Sequence, residues 1–181
     1  MPQLQEKIYT SEDYWNLPDG ERAELINGHF YPMAMPNTIH QRLVVEISCT
    51  IANYIDEHHV AHELIISPFA VNLTADEKIW VEPDIIICDK SKLSERACES
   101  APEFLIEIVL PTSRKMDYIT KVSLYADAGV REYWIVDPEK ERTTVYRYEE
   151  DAAPTIIPFN QPVPVGIHTD LDITIADLLK E

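Results

Sequence analysis

The stretch EFLIEIVLPTSRK, residues 103–115, decides how the rest of the chain is read. Phe104, Leu105, Ile106, Ile108, Val109 and Leu110 make a run that is apolar at even and odd positions alike. A half-exposed strand alternates apolar with polar residues, whereas a run apolar throughout fits a strand covered on both faces, inside a sheet. Glu107 stands in the middle of that run. An ionised carboxylate there is costly unless it is paired or bound to a metal.

Working downstream, TSRKMDYITKVSLYADAGV (residues 112–130) predicts a helix, with Thr112 or Ser113 as its cap and Gly129 closing it. REYWIVD and TTVYRYEE then predict a strand pair around the turn PEKER. The Pro-rich tail predicts edge strands and a short final helix near IADLL. Upstream, KSKLSERACESAP reads as a loop, and ELIISPFAVNLT and IWVEPDIIICD as two strands separated by ADEK. Ile39, Leu43, Ile47, Ile51 and Ile55 recur every four residues, which predicts one long amphipathic helix from Asn37 or Thr38 to about His59. RAELINGHFYPMA predicts a hairpin turning at Asn27-Gly28, and Ser11 predicts the cap of a short helix that Pro18 ends. No repeat or linker divides the chain. The expected architecture is one domain over residues 1–181, a mixed β-sheet flanked by helices with an N-terminal β-hairpin, α/β or α+β in class.

Composition narrows the function classes. The 181 residues carry a formal charge of −17, which opposes the phosphate neutralisation on which nucleic-acid binding rests. The charge is uneven, however: residues 90–147 hold ten of the fifteen Lys and Arg against ten acids, leaving five bases against twenty-two acids elsewhere. A neutral or basic face on an acidic body is compatible with that distribution, as is a merely solubilising acidic surface. Three cysteines without a C-x-x-C pair point to reduced, buried thiols and a cytoplasmic setting. MPQLQEKIYTSEDYW lacks the pattern of a secretory leader, and no apolar run reaches membrane-spanning length. Four glycines and no Gly-rich phosphate loop argue against a nucleotide cofactor.

Asp84 begins to explain Glu107. It heads the aliphatic run of WVEPDIIIC, and two adjacent strands bearing inward carboxylates suit a hard divalent cation such as magnesium. The alternative is that Asp84 ends a turn after Pro83 and Glu107 pairs with a buried Lys or Arg. Lys121 bears on that choice. The strand advances about 10 Å from Glu107 to Leu110 at about 3.3 Å per residue. A helix that starts near Ser113 and packs back over the sheet returns about 12 Å by Lys121, at about 1.5 Å per residue. Its ammonium therefore reaches the level of Glu107, with Asp117 and Tyr125 flanking it at four-residue spacing. Two carboxylates, a cation and a lysine make a phosphodiester-hydrolysing arrangement; a solvent-exposed helical lysine is the commonplace reading.

At this point the chain resembles a known family. RAELINGHFYPMAMPNTIHQRLV, VEPDIIICD and PEFLIEIVLPTSRKMDYITKVSLYADAGVREYWIVDPEKERTTVYR match, in order and spacing, the Uma2 family (also DUF820) of the restriction-endonuclease-like PD-(D/E)XK superfamily, over roughly residues 10–178. GVREYWIVDP is the specific part; a Pro-Asp pair alone is weak. The resemblance implies metal-binding roles for Asp84 and Glu107, with the carbonyl of Ile108 as a further ligand and Glu24 completing the site. The superfamily's lysine two residues after the glutamate is replaced here by Val109, and families similar to this one carry it on the next helix, which points to Lys121. His40 matches a family histidine of unassigned role. Leu110-Pro111 departs from the family's usual Ser-Pro, which bears on activity or on a helix cap.

Other motifs are weaker. His58 and His62 stand four apart in a predicted helix, a spacing that binds zinc but more often complements a helix dipole. His29 and His168 read as ordinary polar residues. Trp80, Tyr133 and Trp134 read as core or dimer packing rather than base-stacking platforms. The resulting expectation is a DNA endonuclease that uses Mg²⁺, with Mn²⁺ as a substitute, acts as a homodimer and has no membrane or nucleotide partner. A non-catalytic nuclease-like module that dimerises or binds a partner is the rival, and RNA or a small phosphoester is a further substrate class.

Overall fold

A computed structural model describes residues 7–150 and 152–180. In chain order the elements are α1 (Ser11–Trp15), β1 (Ala23–Ile26), β2 (His29–Pro32), α2 (Thr38–His58), β3 (His62–Ile66), β4 (Ala70–Asn72), β5 (Trp80–Val81), β6 (Ile85–Asp89), β7 (Ala97–Cys98) and β8 (Phe104–Ile108). A π-helical turn (Met116–Thr120) then leads directly into α3 (Lys121–Asp127). β9 (Glu132–Asp137), β10 (Arg142–Arg147), β11 (Thr155–Pro158), β12 (Val163–Pro164), β13 (Asp172–Ile173) and α4 (Ile175–Leu178) complete the fold.

β8 lies inside a six-stranded mixed sheet of order β11-β10-β9-β8-β6-β3, antiparallel to β6 and parallel to β9. A parallel neighbour needs a crossover, and the segment carrying the π-turn and α3 is that crossover. Side chains alternate across the strand. Phe104, Ile106 and Ile108 pack with Leu43, Val44, Ile47 and Ile51 of α2 on one face. Leu105 and Val109 pack with Tyr125, Val130 and Tyr133 on the other. Both faces are thus covered, which accounts for the strand's unbroken apolar run.

The expected single sheet is in fact divided. ELIISPFAVNLT and IWVEPDIIICD each split into two strands, β3 with β4 and β5 with β6, whose members join different sheets. The breaks fall at Pro68, which follows a cis peptide bond, and at Pro83. Proline donates no ladder hydrogen bond and fixes φ, so neither segment continues as one strand. β4 and β5 instead join the hairpin β1–β2 and the short β7 in a five-stranded sheet of order β2-β1-β5-β4-β7. The hairpin turns at Asn27 and Gly28, both at positive φ, as predicted.

Smaller corrections follow. Thr10, not Ser11, caps α1, with Asp13 accepting the Thr10 backbone N–H at 3.0 Å; Ser11 Oγ instead accepts from Trp80 Nε1 at 2.7 Å. Asn37 caps α2 by accepting the backbone N–H of His40, and Ile39 lies outside the buried stripe. The predicted loop 90–102 contains a 3-10 turn and β7. Cys88 and Cys98 are buried thiols, but Cys49 is exposed. His62 sits on β3 rather than on the helix of His58. Trp80, Tyr133 and Trp134 are all core residues. Among the described residues no helix is long and apolar enough to cross a membrane. The part of the leader reading that concerns residues 1–6 lies outside the described residues.

Candidate active site

Strand register brings the carboxylates together. Ile85 of β6 pairs with Ile106 of β8, so one further step along the antiparallel pair sets Asp84 beside Glu107. Asp84 Oδ2 accepts the backbone N–H of Ile108 at 2.7 Å, a side-chain bond that extends the pairing beyond the end of β6. In the other sheet, β1 pairs with β5 through Leu25 and Trp80, which brings Glu82 alongside Glu24. Glu24 Oε1 accepts the Glu82 N–H at 3.1 Å. Glu24 and Glu107 therefore come from different sheets and meet across Lys121.

Lys121 opens α3, where the backbone leaves the π-turn, and its side chain is only 5% exposed. Its Nζ lies 2.8 Å from Glu107 Oε1, 2.9 Å from Glu24 Oε1 and 3.7 Å from Asp117 Oδ1. One turn on, Tyr125 donates its hydroxyl to Glu107 Oε1 at 2.7 Å. Asp117 Oδ2 accepts the Ser113 hydroxyl at 2.6 Å, and Ser113 Oγ accepts the Leu110 backbone N–H at 3.1 Å. Ser113 thus ties the strand end to the helix instead of acting as a simple N-cap. His40, in the first turn of α2, closes the opposite side with Nε2 3.2 Å from Asp84 Oδ2.

All of these groups except Tyr125 line a cavity of about 330 Å³, together with Ile108 and Leu110. Four acids, Glu24, Asp84, Glu107 and Asp117, line it with the bases Lys121, His40 and Arg22, the last already bonded to Glu82, so carboxylates outnumber bases even with His40 protonated. The proton affinities reflect this. Burial, reinforced by Asp84, Asp117 and Glu24, pushes Glu107 well above the usual carboxylate range despite Lys121. Burial likewise raises Asp117, against the opposing pull of Lys121 and the Ser113 hydroxyl. Burial works against charge on Lys121, but Glu107, Glu24 and Asp117 overcome it and hold the ammonium firmly protonated. For His40, burial is outweighed by the hydrogen bond and charge of Asp84, which raise its proton affinity.

The donor set has the chemistry of a hard-cation site. Among the described residues, Glu24, Asp84 and Glu107 each use a single oxygen for the contacts above, leaving Glu24 Oε2, Asp84 Oδ1 and Glu107 Oε2 without a protein hydrogen bond. Oxygen ligands from carboxylates are what magnesium favours. No group of three or more His, Cys, Asp or Glu side chains among the described residues is placed so that it could hold a metal ion. The reason is visible in the contacts: the Lys121 ammonium, not a gap, lies between Glu24 and Glu107. The residues fit a cation in kind and charge, but as placed they do not gather around one.

All six residues singled out in the sequence, Glu24, His40, Asp84, Glu107, Ile108 and Lys121, border this one cavity. The sequence reading placed Asp117 and Tyr125 on the face of Lys121 but gave them no role. Their spacing of four residues on either side of Lys121 was the available signal. His58, His62 and His168 lie outside the cavity, and His29 does not line it either.

Comparison with known proteins bears on the family and the fold. The family model Uma2, described as "Putative restriction endonuclease", matches residues 11–176. A crystal structure from Anabaena variabilis, described as "a putative nuclease belonging to DUF820", superposes with a TM-score of 0.77 at 21% identity, covering 93% of this chain and 96% of that one. No curated protein matches.

Proposed function

The chain belongs to the Uma2 family of restriction-endonuclease-like proteins, and from that premise we propose that it is a metal-dependent DNA endonuclease using Mg²⁺, with Mn²⁺ as a substitute. The observation that carries the reading is the surplus of carboxylates around Lys121, three of them with an uncommitted oxygen in one cavity. Asp84 and Glu107 would hold the cation, with Glu24 and the Ile108 carbonyl completing its protein ligands. When bound, the cation supplies Lewis acidity toward a phosphoryl oxygen.

The chain's own residues divide the remaining work. Lys121 stays an ammonium, so it serves by orienting the attacking water and stabilising developing negative charge, not as a general base. Tyr125 fixes the rotamer of Glu107, and His40 fixes Asp84. Both are positioning residues. Ser113 supplies a hydroxyl that bonds the backbone at the strand end, where Leu110 carries none.

Titration calorimetry with Mg²⁺ and Mn²⁺ tests the cation. Wild type should bind, and D84N/E107Q should not. Supercoiled plasmid tests the chemistry: Glu107→Ala should abolish nicking while keeping the wild-type circular dichroism spectrum. A purified E107A protein that nicks like wild type would falsify the assignment. The placement of the Lys121 ammonium between Glu24 and Glu107 favours a second reading, a non-catalytic module in which lysine alone neutralises the acids. Wild type that binds neither cation nor DNA is the outcome that reading requires.

A further inference from the structure

We propose that the groove beside the acidic cavity, lined by Arg114, Lys115, Lys140 and Arg142, is a docking track for the phosphate backbone of duplex DNA. The inference deepens the nuclease reading and rests on it. The groove is about 450 Å³ and continues from the cavity: Thr112 lines both. Its wall includes four cations and no carboxylate, on a chain whose formal charge is −17. That concentration is the physical form of the uneven charge read from the sequence.

The four cations are not equivalent. Arg114 is committed, bonded to the buried Asp137 and to Glu139. Lys115 and Lys140 are exposed and make no salt bridge among the described residues. Arg142 lies over the Tyr118 ring at 5.8 Å, and its Nε is buried without a hydrogen-bond partner. Two exposed ammonium groups, Lys115 and Lys140, are thus available for phosphate, with Arg142 adding charge from a partly buried position, against the rim carboxylate Glu139 that Arg114 already engages. Ile119 and Tyr118, not an exposed aromatic ladder, form the apolar wall. Single strands are gripped by stacking on aromatic faces, whereas a duplex is held through its phosphates. The groove has the second chemistry.

The arrangement also reconciles an acidic protein with a polyanionic substrate. The acidic cavity attracts a cation and repels bare phosphate, so affinity must come from flanking contacts. Lys115, just before the π-turn that leads to Lys121, and Lys140, on the turn between β9 and β10, hold neighbouring phosphates while the scissile one enters the cavity.

The experiment is fluorescence anisotropy with a labelled DNA duplex, without divalent cation, over a series of salt concentrations. The comparison is between wild type, K115Q/K140Q, and the control K78Q/K90Q, which removes the same charge from exposed positions elsewhere. Each phosphate contact contributes about 0.9 to the slope of log K against log salt. K115Q/K140Q should bind at least tenfold more weakly at low salt and lose about 2 from that slope, while the control matches wild type. Equal loss in both double variants, or none in K115Q/K140Q, overturns the proposal. So does a wild type that binds an RNA duplex and not DNA, or no duplex at all. Mg²⁺ calorimetry on K115Q/K140Q separates the two readings: unchanged cation binding with lost DNA affinity isolates the groove, and absent cation binding in wild type counts against the cavity reading alone.

Discussion

Lys121 is the residue on which the site depends for its charge balance. It is buried and shared among Glu107, Glu24 and Asp117. Removing one partner of a buried ionic network is costly because it strands the others. We expect Lys121→Met to lower stability by about 3–5 kcal/mol in urea unfolding. Glu107→Gln should behave in the opposite way. The folded-state proton affinity of Glu107 lies well above the unfolded value, so the folded protein favours its protonated form. Its contribution is fully present below the unfolded pKa of 4.5 and is lost as pH rises through the folded pKa. The stability of E107Q relative to wild type should therefore grow between pH 5 and pH 8, measured as the difference in urea midpoint. A constant difference across that range would contradict the assignment of burial as the dominant cause.

At the scale of elements, the site is held by where helices and strands begin. His40 reaches Asp84 because α2 starts at Thr38, and it starts there because Asn37 accepts the His40 N–H at 2.9 Å. Asn37→Ala should cost about 1 kcal/mol, and Asn37→Gly only a few tenths, in thermal or urea unfolding. Much of this level was legible in the sequence. The four-residue spacing of Leu43, Ile47 and Ile51 marks the buried face of α2, and all three are fully buried. Asn27-Gly28 marks its hairpin because few other pairs accept two positive φ values. The π-turn was not legible. There the Lys121 N–H bonds five residues back, to the Met116 carbonyl, and no hydrophobic period distinguishes such a turn from an α-helix. The division of two predicted strands at Pro68 and Pro83 was signalled by the prolines but not drawn from them.

For the whole molecule, charge and topology set the terms. A formal charge of −17 on 181 residues gives self-repulsion that mobile ions screen. Raising NaCl from about 0.01 M to about 0.15 M shortens the Debye length from about 30 Å to about 8 Å. We expect Tm to rise over that interval, read by differential scanning fluorimetry; a fall would mean that screened attractions, such as Arg22 with Glu82 and Lys90 with Glu63, outweigh the repulsion. The sequence by itself determined the fold class, the interior position of β8, and the candidacy of Asp84, Glu107 and Lys121. Those follow from local periodicity, capping and chain reach, together with a family pattern that is local in sequence. Only the tertiary structure decided that Glu24 and Glu107 come from different sheets to share one ammonium, and that cations from residues 114–115 and 140–142 form one groove. The physical reason is that charge balance in a buried site is a property of separations in space, and separations between distant segments are set by how sheets pack, which no single segment encodes.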